Sequence, residues 1–136
     1  MLKKTKFDFI KGQGDYQLLP VEFFKEQIPF EVKRTYFVLS NDKETLTGQH
    51  AHYEEEEVFL LLKGGAKLIS LDKDNQEYSI TLKPGEAVYV PKMVWHGFVN
   101  LLPDTVIAAF SSTHHKHDRS DYLENRDVYF SKYLSA

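Results

Sequence analysis

Short runs with strand character recur along the chain at 30–39, 45–52, 57–62, 66–71, 77–82, 87–90, 96–100 and 105–111. Between them lie KGG at 63–65, DKDN at 72–75, KPG at 83–85 and LPD at 102–104, residues that accept a positive φ or pre-set a turn. Runs separated by roughly eight to twelve residues predict a sandwich or small barrel. About eight strands suffice for an all-β jelly roll of two antiparallel sheets. With 136 residues and 42% hydrophobic content, the chain is sized for one domain with a real core, and 1–136 is read as a single domain.

The ending differs. DYLENRDVYFSKYL, from 121 onward, places Leu123, Phe130 and Leu134, with Tyr122, Tyr129 and Tyr133 beside them, at spacings that stack on one side of a helix. The pattern predicts a short C-terminal helix, packed as a lid or brace.

Charge and composition exclude several classes of partner. A formal net charge of −3 offers no basic footprint for nucleic acid. The absence of cysteine rules out a disulfide framework and a thiolate metal site. MLKKTKFDFIKGQGD at the start lacks the apolar stretch of a secretory signal, and no run approaches the length of a bilayer span. The expectation is a cytoplasmic protein with no membrane partner.

HAHYEEEEVFLLLKGG, residues 50–65, carries the chemistry. In a strand His50 and His52 share one face, about 7 Å apart along the backbone, and can converge on one ligand. Glu57 has the opposite parity and joins them only if the chain turns within 53–56. The acids Glu54, Glu55 and Glu56 read as that solvated turn. HHKH at 114–117 reads as an exposed loop able to steer an anion. Arg34, Tyr36 and Val38 fall on one face of the 30–39 strand, which could turn into the same cavity as the two histidines.

His50, His52, Glu57 and Gly64, followed by Gly85, Pro91, His96 and Asn100, resemble the two signatures of the cupin superfamily, with Met93 standing where a glycine is common. In metal-binding cupins the equivalents of His50, His52, Glu57 and His96 are ligands, and imidazoles with one carboxylate suit Fe, Mn, Ni or Zn. A narrower resemblance runs through IPFEVKRTYFV (28–38), GQHAH (48–52), VYVPKMVWHGF (88–98) and SDYLENRDVYFSKYL (120–134): these are similar to the sugar 3,4-ketoisomerases, metal-free cupins acting on dTDP-4-keto-6-deoxy-D-glucose. That resemblance implies an isomerase without a cofactor, a homodimer, a dTDP-linked 4-keto-6-deoxyhexose as substrate, and a product destined for amino sugars of bacterial surface polysaccharides.

Moving a ketone from C4 to C3 needs a base for the C3 proton and a second group to relay a proton, roles that histidine and tyrosine can fill. By position in the family motifs, His50 resembles the catalytic base and Tyr36 the relay, while His52, Trp95 and His96 would shape the sugar pocket. Arg34 could meet the diphosphate or an internal carboxylate. The chain departs from the family at Thr47, where an arginine is usual, leaving Lys33, Arg34 and Arg119 to supply the missing charge. It departs again at Glu57, where glutamine is usual and where a carboxylate completes the alternative metal set His50, His52, Glu57 and His96. Histidine at position 96 resembles the family type that yields the galacto configuration at C4.

Overall fold

The computed structural model describes residues 1–23 and 27–134, the last of these by its backbone alone. Twelve short strands, β1 (Lys3–Lys6), β2 (Ile10–Lys11), β3 (Gln17–Leu18), β4 (Arg34–Leu39), β5 (Ala51–His52), β6 (Glu57–Lys63), β7 (Ala66–Leu71), β8 (Glu77–Leu82), β9 (Glu86–Val90), β10 (His96–Val99), β11 (Val106–Ser111) and β12 (Tyr122–Leu123), precede a helical end. One sheet has the order β1-β9-β6-β11-β4, and a second has β10-β7-β8, every pair antiparallel. The β12-β5 ladder extends the second sheet through an isolated bridge between His50 and His96. This is the expected all-β cupin-type jelly roll with a short C-terminal helix.

The apolar run in EVFLLLK does not alternate because both faces of β6 are covered. Phe59 and Leu61 point between the sheets with Leu68, Leu82, Val88, Phe98 and Ile107. Val58 and Leu60 point the other way and meet Phe7, Ile28, Ala108 and Phe110, so the N-terminal arm roofs the outer face of the large sheet. β11 pairs with β6 through a bulge opposite the step from Val106 to Ile107. β4 lies at the edge, and its alternation puts Arg34, Tyr36 and Val38 half-buried while Phe37 and Leu39 stay exposed.

The 45–52 run is not one strand. It forms isolated bridges at Thr45 and His50, with Thr47 bonded to Phe98 between them, before pairing as β5 with β12. The C-terminal helix starts later than the apolar pattern predicts: Tyr122 and Leu123 belong to β12, Asn125 caps the helix by accepting a hydrogen bond from Val128 N–H at 3.0 Å, and α1 (Arg126–Tyr129) passes into a π-helical turn, Phe130–Leu134. The pairing with β5 claims 122–123 before a helix can form there. α1 is a brace: Tyr129 packs on Trp95 and donates its hydroxyl to the Met93 carbonyl at 2.9 Å. Among the described residues no helix is long and apolar enough to cross a membrane.

Two glycines, Gly64 and Gly85, adopt a positive φ at tight turns. Gly64, between β6 and β7, has φ +89°, and a Cβ there would lie 2.3 Å from Thr105 Oγ1 and 2.7 Å from Thr105 Cα. Backbone strain and the clash with an atom that cannot swing away act together. Gly64→Ala is therefore expected to lower stability by about 1–3 kcal/mol, read as a shift in the midpoint of chemical denaturation. An unchanged midpoint would show that the turn relaxes freely.

Candidate active site

Three strand systems meet at one open cavity of about 500 Å³. β4 supplies Tyr36 and Val38, the arm ending in β5 supplies Thr47, His50 and His52, and Glu57 and Phe59 come from the start of β6. His96 comes from β10 and Tyr122 from β12. The turn anticipated at 53–56 is present, and it brings Glu57 round to the histidines despite its opposite parity.

Glu57 is 3% exposed. Its Oε1 accepts the Tyr36 hydroxyl at 2.8 Å, and its Oε2 lies 3.3 Å from His96 Nε2 and 3.9 Å from His52 Nε2. Burial alone would raise this carboxyl; the His96 imidazole beside it, with help from His52 and Tyr36, outweighs burial and holds Glu57 at about 2. Tyr36 is pushed well above the ordinary phenol range, first by burial and then by Glu57, so it is a neutral phenol. His96 is oriented from behind by the Val94 carbonyl, 2.9 Å from Nδ1.

His50 Nε2 stands 3.1 Å from His52 Nε2. Burial, followed by repulsion from His96 and His52, lowers His50 from the usual 6.5 to about 3, so the ring is neutral at physiological pH. Burial likewise lowers His52, against the pull of Glu57 and Asp121. Tyr122 closes one side of the pair, with ring centroids 4.7 Å from both imidazoles, and Arg119 lies over its outer face at 4.1 Å.

Thr47, at the position where the family has arginine, lines the cavity and accepts the Phe98 N–H at 2.9 Å; it brings no charge. Arg34 does not line this cavity. It donates to Glu55 Oε1 at 2.6 Å, an internal carboxylate. Trp95 does not line the cavity either. Neighbouring residues on a strand face opposite ways, so with His96 turned inward Trp95 is buried on the far side among Ala51, Leu71, Leu123 and Tyr129. The expectation that it touches the sugar is thus corrected: it supports the wall from behind.

Sequence reasoning missed two buried acids. Glu55, read as part of a solvated turn, is 4% exposed, and Asp121, read as the start of a helix, is 6% exposed. Burial and the charge of Glu57 push Glu55 up to about 7, against Ser111 and Arg34. Asp121 accepts from the Glu54 and Glu55 amides at 2.7 and 3.3 Å and so ties the turn to β12. Nothing in a run of four acids marks which one points inward. HHKH at 114–117 is exposed, as expected, and Lys116 pairs with Glu54 at 2.6 Å.

The fold agrees with that of known relatives. The FdtA family profile, described as WxcM-like, C-terminal, matches residues 3–134. Over 111 residues the chain is 34% identical to a TDP-4-oxo-6-deoxy-alpha-D-glucose-3,4-oxoisomerase of Aneurinibacillus thermoaerophilus, a match spanning 81% of this chain and 77% of that one. A variant of QdtA, a 3,4-ketoisomerase of Thermoanaerobacterium thermosaccharolyticum in complex with TDP-4-keto-6-deoxyglucose, superposes with a TM-score of 0.81 at 27% identity, covering 96% of this chain and 91% of that chain. The WlaRB TDP-quinovose 3,4-ketoisomerase of Campylobacter jejuni shares the fold with a TM-score of 0.82 at 24% identity, covering 96% and 97% of the two chains. The chain is an isomerase and belongs to the FdtA family of cupin-fold sugar 3,4-ketoisomerases.

Proposed function

We propose that this protein converts dTDP-4-keto-6-deoxy-D-glucose to the 3-keto-6-deoxy sugar by proton transfer through an enediol, with His50 as base and Tyr36 as relay. The observation that carries the reading is that the imidazole of His50 and the phenol of Tyr36 line one open cavity. His50 removes the C3 proton, and the C–H electrons form the C3–C4 double bond as O4 takes the Tyr36 proton. Tyr36 regains a proton from the C3 hydroxyl, whose oxygen becomes the new carbonyl, while C4 takes the proton held on His50. Atoms and charge balance without a redox partner. In the free protein the Tyr36 hydroxyl donates to Glu57 Oε1, and Tyr36 is held as a neutral phenol able to give a proton. His52 and His96 form the wall of the sugar pocket, and His96 is assigned the galacto outcome at C4, to be read from the H4–H5 coupling of the product.

The same reading extends to a homodimer in the cytoplasm, where its nucleotide-sugar substrate would be found. The exposed Phe37 and Leu39 on edge strand β4 are compatible with such an assembly.

One observation favours a second reading, a metal-dependent cupin. Ligand atoms of His50, His52 and His96 lie within 4.8 Å of one another, and the neighbouring Glu57 Oε2 is buried without a hydrogen-bond partner. This donor set fits a divalent transition metal, which His50, His52, His96 and Glu57 would hold and which would supply Lewis-acid polarisation of a substrate oxygen.

Chelator-stripped protein in D2O is expected to wash deuterium into C3 of dTDP-4-keto-6-deoxyglucose, followed by mass spectrometry. Exchange that returns only with added metal would favour the second reading. His50→Asn is expected to lower turnover by about 10²- to 10⁴-fold; a loss below tenfold would move the base elsewhere. Because the folded value of His50 is depressed, the ring is a competent base down to low pH. The acid limb of kcat/KM is therefore expected well below the ordinary histidine value of 6.5, and a limb at that value would mean that a less buried group is the base.

A further inference from the structure

His52 Nδ1 points away from the cavity, into a space bounded by two acids. Glu55 Oε2 is 3.3 Å from it and Asp121 Oδ2 is 3.2 Å, neither on the axis of a single hydrogen bond, so the nitrogen sits between the two. The acids come from segments 66 residues apart, and each is held independently. Glu55 Oε1 takes hydrogen bonds from Arg34 and Ser111, and Asp121 takes two backbone amides of the 53–56 turn. A narrow crevice lined by Arg34, Glu55, Lys116 and Asp121 lies behind them.

In their carboxylate forms Asp121 and Glu55 accept and do not donate, and the Arg34 guanidinium bonded to Glu55 favours that form against its burial. A lone pair on His52 Nδ1 would face two oxygens in a site from which water is largely excluded, where that repulsion is strong. The proton of the neutral ring therefore belongs on Nδ1, and Nε2 carries the lone pair. That lone pair faces His50 Nε2 at 3.1 Å. Two lone pairs would repel at this separation, so His50 Nε2 is the donor and the lone pair of His50 lies on Nδ1.

We infer that Glu55 and Asp121 are positioning residues for the isomerisation: by bracketing His52 Nδ1 they fix its tautomer and, through it, that of His50, so that the substrate proton is taken by His50 Nδ1. This rests on His50 being the base. When His50 holds the C3 proton, its Nε2–H still points at His52, whose far side is backed by the two acids, and the positive charge is compensated along that line rather than by solvent. Neither Glu55 nor Asp121 touches the sugar.

The experiment has a part without substrate and a part with it. In protein labelled with ¹⁵N-histidine, nitrogen–proton correlation spectra should show His52 with a protonated Nδ1 and a bare Nε2, and His50 with the reverse, assigned with the His52→Asn and His50→Asn variants. The opposite tautomer at either ring overturns the inference, whatever the enzyme's substrate is. Glu55→Gln and Asp121→Asn preserve shape and keep an oxygen for the neighbouring donors. Each is expected to mix the tautomers and lower kcat by about 10- to 100-fold with KM largely unchanged. Folded variants with wild-type kcat, or a loss confined to KM, would also overturn it. If His50→Asn keeps turnover while the wild-type tautomers are as stated, the choice of base fails and the tautomer assignment stands.

Discussion

One buried carboxylate organises the cavity. A charge with 3% of its surface exposed is tolerated only if it is paired, and Glu57 recruits its partners from different strands: the Tyr36 hydroxyl from β4 and the His96 imidazole from β10, with His52 of β5 nearby. The contacts cross from the large sheet to the small one. Glu57 thereby fixes the spacing of the cavity walls and keeps Tyr36 a neutral phenol, its hydroxyl donated to the carboxylate. The same carboxylate adjoins His52 and His96, two of the three histidines whose ligand atoms lie within 4.8 Å of one another.

The histidine pair depends on the end of the chain. β12 is two residues long, yet it pairs directly with His52 and Ala51, and Asp121 just before it fastens the 53–56 turn. α1 then braces the second strand that carries a histidine. Tyr129 accepts the Trp95 N–H at 3.3 Å and donates to the Met93 carbonyl, holding the segment that delivers His96. Met93 sits at φ 60°. A left-handed backbone explains why glycine is common there in cupins, and a non-glycine residue carries a steric cost of about 1–2 kcal/mol, which packing against Trp95 and its neighbours offsets.

Strand periodicity and turn chemistry made most of the barrel legible. The expected runs at 66–71 and 77–82 coincide with β7 and β8 because KGG and KPG bracket them without ambiguity. The N-terminal strands carried no such mark: KKTK is polar because β1 lies at a sheet edge, and Ile10–Lys11 and Gln17–Leu18 are too short to show a period. His50, His52, His96 and Tyr36 were identifiable as candidates for one cavity from residue type and motif position, whereas Glu57, of opposite parity, reaches it only through the turn at 53–56. Trp95 lies behind the wall because it precedes His96, and neighbouring residues of an extended chain face opposite ways.

What the chain determined by itself is local: where it turns, which face each side chain takes, and which residue types can move a proton. What tertiary structure decided is which polar groups lose water together. Glu55 and Glu54 are adjacent and chemically identical, yet one is buried against Arg34, Ser111 and His52 while the other pairs with Lys116 in solvent. Protonation, tautomer and charge compensation at the histidine pair follow from that burial, and burial is a property of segments brought together from 34, 55, 111 and 121, which no local pattern records.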